Sequence, residues 1–405
     1  MTGLLYREDM DAVRERLTAW WNGEDLGRPM MQITAPRPEP LEPTPAPPEP
    51  EGWVTHYSTA DFDYRVSLAA RACNGTLFLG EAVPTVSPDL GPGCLSLYLG
   101  CRGIDMPGTV WFERCIERPE TARFEYDPDN FYWDFTLRLA REQLRLGAGR
   151  FLIQFPDLIE GLDTLAAMRG SERLLMDLIE RPDWVRDCLR RITDLYFHYY
   201  DALYDLLCDE AGGSCFWVWA PGRLAKLQCD FSAMISPGMF GEFMVPVLEE
   251  MCERLSHSLY HWDGPGALGH LDHLLSIEKL DMIQWTAGEG NEPPSDKRWW
   301  PCYHRIIDAG KKVFIGVAAS ADTLRSLRRE FGSGFNQFLI NMGVSSSDEA
   351  EEMLRVAAEQ APDVRSRAAG IEAECAVKSV AQPPWVVTTD KGDSPGCTKY
   401  LSSAK

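Results

Sequence analysis

The chain has 405 residues, 45% of them hydrophobic and 11% aromatic, enough to bury a large core and well away from the composition of disordered chains. Asp and Glu outnumber Lys and Arg by 61 to 40, and the formal charge of -21 opposes nucleic-acid binding over any broad surface. No apolar run is long enough for a bilayer, no signal-peptide core is present, and the 12 cysteines form no C-x-x-C pair, so a cytoplasmic protein with reduced thiols and no membrane partner is expected.

In chain order, "MTGLLYREDMDAVRERLTAWW" reads as an amphipathic helix. A strand from Met30 to Thr34 follows, then a run from 36 to 52 so rich in proline and glutamate that it is expected on the surface without regular structure. Residues 1–52 are thus expected to be an N-terminal helix and Pro-rich connector. From 53 to 365 a short apolar run, a Gly- or Pro-containing loop and an amphipathic helix recur. The runs are "TLFLGE", "RFLIQF", "CFWVWA", "SLYHWDG", "DMIQWTAG", "KKVFIGV" and "QFLINMG", and "MMQITA" makes eight. Continuous apolar runs suit parallel strands covered on both faces.

Among the helices, Ser236-Pro237 supplies an N-cap and a first-turn proline, and Pro246 is expected to kink the stripe that follows. Further helices are expected from Pro182 to Leu207 and from Asp348 to Glu359. Eight strands each followed by helical sequence, with no G-x-G-x-x-G after any of them, predict an α/β fold of the (β/α)8 TIM barrel type over an open doubly wound sheet. The periodicity fades in a C-terminal tail, 366–405.

A parallel barrel carries its chemistry at the C-terminal strand ends. The residues there are Glu81 and Asp89, Asp157, Arg223, His261 and Asp263, Glu289, Ser320 and Val344. "HWDG" is the sharpest of these signals: His261 and Asp263, at i and i+2 of a strand, share one face, and Gly264 turns the chain just beyond. Each can bind a metal or carry a proton. Asp157 reads equally as a site carboxylate or a helix N-cap, Glu289 as a lining acid or a loop charge, and Arg223, at the start of a helix, as a carboxylate holder or a surface residue. Trp219 and Trp285, near the ends of their runs, are expected beside the substrate with Arg223 and Glu289. His270 and His273 read as a solvated helical face. "DLGPGCLSLYLG" lacks the lysine of a phosphate loop, and no G-x-S-x-G suggests a serine hydrolase.

"WWNGEDLGRPMMQIT", "LDTLAAMRGSERLLMDLIERPDWV", "DFSAMISPGMFGEFMVP", "HWDG" and "GKKVFIGV" together resemble the uroporphyrinogen decarboxylase superfamily, which includes corrinoid-linked methyltransferases, over roughly residues 15 to 360. The resemblance implies a (β/α)8 barrel, a small-molecule substrate and a methyl or other one-carbon transfer. No D-x-H-x-x-G is present, so a corrinoid would come on a separate partner protein. The methyltransferase branch holds zinc with a His-x-Cys and a later cysteine. Here His261 matches, whereas Asp263 and Val344 stand at the cysteine positions, so the expected metal site is His261, Asp263 and Glu289, open to zinc or another divalent ion. The alternative is a decarboxylase of an acidic substrate, tetrapyrroles included, with Asp89 or Asp157 stabilising a cationic intermediate and Arg223, Arg28 or Arg37 holding carboxylates. A catalytically silent binding subunit is the third reading, and a homodimer is compatible with all three.

Overall fold

The structure is a computed structural model, and it describes residues 3–44, 46–47, 57–106 and 109–359; the expected C-terminal tail lies outside the described residues. Its strands are β1 (Met30–Pro36), β2 (Thr76–Gly80), β3 (Thr85–Val86), β4 (Arg102–Met106), β5 (Thr109–Glu113), β6 (Leu152–Ile153), β7 (Ser214–Phe216), β8 (Val218–Ala220), β9 (Leu224–Gln228), β10 (His257–Asp263), β11 (Met282–Thr286), β12 (Lys312–Gly316) and β13 (Phe338–Gly343). Seven of them form the central sheet in the order β2-β1-β13-β12-β11-β10-β9. All its pairings are parallel except β1 with β2, which is antiparallel.

The mixed α/β fold with a mainly parallel central sheet is as expected; among the described residues the hydrogen-bonded ladder of that sheet runs from β2 to β9 and is not closed into the expected eight-stranded barrel. "TLFLGE" does form a strand, but it runs against β1. "RFLIQF" pairs over only two residues, β6 with β3, because Pro84 and Pro156 flank the short ladder and remove donors. "CFWVWA" folds back on itself as the β7–β8 hairpin, Phe216 pairing Val218 around Trp217, whose φ is 58°. Single backbone bonds, Gln154 N to Val86 O (2.8 Å) and Phe155 N to Cys215 O (2.9 Å), carry the chain from β3 past β6 to β7 without a continuous ladder.

The sequence also conceals β9. "LAKLQ" places polar Lys226 and Gln228 among apolar residues, yet all five are buried, and Arg223 precedes this strand instead of opening a helix. The β4–β5 hairpin was not expected either.

The helix Met10–Trp21 packs beneath the N-terminal ends of the strands. Trp21 Nε1 donates to Trp219 O (3.0 Å) and Trp20 Nε1 to Asn336 O (3.0 Å), and the Trp21 ring lies 4.6 Å from His257 at the start of β10. Of the Pro-rich run, Pro36 ends β1 opposite Thr76, and the rest of its described part, 37–44 and 46–47, has neither helix nor strand. Asn74 pins it, accepting from Leu41 N (2.9 Å) and donating to Glu42 O (2.7 Å).

Pro182–Leu207 is helical, as is Ser347–Ala357, and Ser236 Oγ accepts from Met239 N (3.2 Å) to cap Pro237–Phe243. That helix breaks at Met244 and resumes as Val245–Glu253, with Pro246 in the new first turn. His270 does not lie on a solvated face: it is buried against the Phe240 ring (4.6 Å), with Nε2 2.9 Å from Ser232 O. No helix among the described residues is long and apolar enough to cross a membrane.

Candidate active site

Alternation along β10 sends Tyr260 and Trp262 into the packed outer layer, where Trp262 meets Trp285 of β11 at 4.6 Å, and leaves His261 and Asp263 on the opposite face. His261 pairs in register with Gln228 of β9 and Gln284 of β11, so three polar side chains stand side by side. Asp230 follows β9 by two residues. It brings a carboxylate to His261 and Asp263, and one ligand atom from each of the three lies within 4.8 Å of the others. Gly264 then leaves the strand at φ 73°, a left-handed conformation that glycine adopts without strain.

The amide of Gln284 sets the state of His261. Its Nε2 donates to Thr286 Oγ1 (2.9 Å), which turns Oε1 toward His261 Nδ1. Nδ1 therefore carries the proton and Nε2 keeps a free lone pair. Burial, and next the charge of Lys226, hold the imidazole below its ordinary pKa, so the ring is neutral near pH 7.

Carboxylates crowd around this pair. Asp163 accepts from Asp230 N and Phe231 N, both at 2.8 Å, and fixes the turn that presents Asp230. Asp230 keeps an edge in solvent, but burial of its inner side, then Asp163 and Asp263, push it up to about 7. Lys226, 3% exposed, holds Asp157 at 2.6 Å. Burial, followed by Asp157, raises Asp89 to about 6, while its Oδ1 accepts from Asp157 N (3.2 Å) and Cys94 Sγ (3.2 Å). Glu160 is fully buried; its Oε1 accepts from Gln228 N (2.9 Å), its Oε2 has no partner, and desolvation pushes it up to about 8.

Beside the His261 group opens a cavity of about 570 Å³, lined by Gln32, Gln154, Trp217, Gln284, Phe314 and Asn341 among others. Trp217 and Ile159, in the connection that carries Asp157 and Glu160, are the non-glycine residues with positive φ among the described residues, both at 58°. Strain of this kind collects where a side chain must be aimed.

Of the residues expected at the site, the structure brings together His261, Asp263, Asp157 and Asp89. Asp157 does not cap the next helix, which begins after Glu160. Glu289 is exposed in the loop after β11 and is not in the Asp230–His261–Asp263 group; Asp230 stands beside His261 and Asp263 instead. Arg223 lies at the opposite, N-terminal end of β9, paired with Asp201 and stacked on Tyr200 (4.8 Å) and Tyr204 (5.2 Å). Trp219 and Trp285 are buried outside the cavity, Trp285 because alternation along β11 turns it away from the face of Gln284 and Thr286. Trp219 bonds Asp209 (2.9 Å), and Trp285 packs between Trp262 and Trp299. Arg28 does hold a carboxylate, but it is buried Glu81, at 2.6 Å, with Arg16 at 2.9 Å. Burial alone would raise Glu81; the Arg28 bonds and charge outweigh it and lower its pKa. Ser320 caps the helix Ala321–Phe331, and Val344 is buried.

Asp230, Lys226, Gln284 and Trp217 were missed. The signal for the first two was present in "LAKLQCD", where Lys226, Gln228 and Asp230 recur with period 2 through an apolar run.

No family model matches the chain, and no curated protein sequence does. Among solved structures, a methyltransferase from Methanosarcina mazei is similar at a TM-score of 0.55 and 13% identity, over 85% of this chain and 98% of that one. At that identity the likeness is one of fold.

Proposed function

We propose that the protein is a group-transfer enzyme that moves a methyl or other one-carbon unit, working with a corrinoid carried on a separate protein and with a divalent cation at His261, Asp230 and Asp263. The observation that carries this reading is the convergence of those three ligand groups beside a cavity at the strand ends. The fold shared with a methyltransferase supports the reaction class.

The donor set fits a cation. The His261 lone pair is free because Gln284 holds the other ring nitrogen, and two carboxylates offset the charge. With one imidazole, two oxygen donors and no thiolate, the set does not discriminate strongly among zinc, manganese and iron. When bound, such an ion supplies Lewis acidity that lowers the pKa of an acceptor hydroxyl or thiol. The chain's own contributions are positional: Gln284 orients His261, Asp163 orients Asp230, and Lys226 with Asp157 balances charge behind them. Decarboxylation of a polyacidic substrate has less support, since Arg28 is committed to Glu81 and Arg223 lies at the far end of its strand.

The test is metal content of the purified protein together with demethylation of methylcobalamin by small thiols. His261→Ala and Asp263→Asn should each weaken metal binding at least about tenfold, in line with the loss of one ligand. They should leave the thermal transition near that of the parent chain. Unchanged metal affinity in both variants would overturn the reading.

A further inference from the structure

We propose that a second chamber, on the Asp230 side of the His261 group, binds the acceptor of the transfer as an uncharged, chain-like alcohol or thiol that carries one further neutral oxygen at its far end. This deepens the function proposed above by naming the acceptor's chemical class; the acceptor's role rests on that reading, whereas binding of such a chain does not.

The cavity of about 570 Å³ meets the group through His261 and is not lined by Asp230. A separate hollow of about 380 Å³ lies against Asp230 and Gln228 and is not lined by His261. Two partners can thus reach the same three ligand groups from different sides, as transfer of a carbon between two other atoms requires. On transfer the acceptor's S–H or O–H bond breaks, its sulfur or oxygen bonds the incoming carbon, and the proton leaves to solvent. The donor keeps the electron pair of the bond it loses.

Phe112, Ile159, Ala166, Ala167, Phe231 and Met234 give the second chamber an apolar wall, and no Lys, Arg or His lines it among the described residues. Its inner polar groups are already bonded within the protein. Asp163 accepts from Asp230 N and Phe231 N (both 2.8 Å), and Gln228 Nε2 donates to Asp163 (3.3 Å) and Asp230 (3.1 Å). An anionic tail would lose its hydration here and gain no counter-charge.

Ser96 is different. It is 1% exposed, it lines the chamber, and its Oγ has no hydrogen-bond partner among the described residues. Buried hydroxyls nearly always find one. A Cβ at Gly93 would meet Phe112 Cζ at 3.2 Å and Ser96 Oγ at 3.9 Å, so this hydroxyl stands beside Phe112, apart from the bonded group of Asp163, Gln228 and Asp230. An oxygen on the ligand's far end would satisfy it. Phe112, Ala166, Ala167 and Ser171 also line an outer hollow of about 530 Å³ that includes Trp111. Trp111 and Met234 are 63% and 50% exposed, and large apolar side chains left in water beside an apolar chamber suit the entry of an apolar chain.

The test titrates hexane-1,6-diol, hexan-1-ol and 6-hydroxyhexanoate calorimetrically into the full chain stripped of metal by chelation. The diol should bind at least about tenfold tighter than 6-hydroxyhexanoate, as expected of a chamber without a cation. Ser96→Ala should weaken the diol by roughly two- to tenfold, the worth of one hydrogen bond, and leave hexan-1-ol within about twofold. Ala167→Phe fills the chamber and should abolish diol binding, with Ala166→Leu as the milder variant should the first fail to fold. Gly316→Leu should leave diol binding unchanged, because its side chain enters open space in the larger cavity instead. The proposal is overturned by 6-hydroxyhexanoate binding as tightly as the diol, by a Ser96→Ala variant that binds the diol as the parent does, by loss in Gly316→Leu with retention in Ala167→Phe, or by no saturable binding. Diol binding that responds as expected upholds the chamber even where methylcobalamin is not demethylated. Demethylation by small thiols without diol binding sinks this inference alone.

Discussion

Glu160→Gln isolates one buried charge. Glu160 is fully buried, accepts one backbone bond from Gln228 N (2.9 Å) and has an unpartnered Oε2, so the folded protein favours its protonated form. Its pKa rises from the ordinary 4.5 to about 8, chiefly by desolvation. In the unfolded chain the same group ionises near its ordinary value. Between those limits the folded state binds the extra proton, so the contribution of this group to stability is complete below about pH 4.5 and is lost as pH rises toward 8. A span of about 3.5 pH units at 1.36 kcal/mol each sets an upper bound of roughly 5 kcal/mol, beyond which the curve flattens. Glutamine keeps the acceptor for Gln228 N and cannot ionise. Urea unfolding followed by circular dichroism between pH 5 and 9 should therefore show the variant gaining on the parent by up to ~1.4 kcal/mol per pH unit until about pH 8. Parallel profiles for the two proteins would refute the argument, because they would mean that Glu160 is already ionised in the fold.

Arg28→Ala should cost about 3–5 kcal/mol in urea unfolding, since it strips the closest cation from a carboxylate with no exposed surface; a cost near zero would mean that Arg16 alone satisfies Glu81. Gly264→Ala should destabilise by roughly 1–3 kcal/mol, the cost of a backbone region at φ 73°, ψ 159° that is essentially reserved for glycine, and weaken metal binding because it displaces the adjoining Asp263; both are read from a melt and a metal titration. Cys101 and Cys115, with sulfurs 3.7 Å apart at the base of the β4–β5 hairpin, should be the first pair joined by diamide, which takes up the two thiol hydrogens; peptide mapping that finds another pair oxidised first would contradict this.

Local chemistry was enough to place the elements whose signals lie within a few residues. The Ser236-Pro237 cap, the break at Pro246 and the strand containing "HWDG" depend on a donor, a missing N–H and an alternating face, all of them properties of short segments. For the same reason His261 and Asp263 could be paired from their spacing. Ring closure could not be read this way, because it depends on ladders between distant segments: two prolines shortened β6, and a positive φ at Trp217 turned one apolar run into a hairpin. Nor could the third member of the His261 group. Asp230 is 31 residues from His261 in the numbering, and only the parallel register of β9 on β10 brings it to the same strand end, while Glu289, nearer in the chain, is carried off by its loop. Spacing along a chain decides which face a side chain takes; the pairing of one strand with another decides what it meets there.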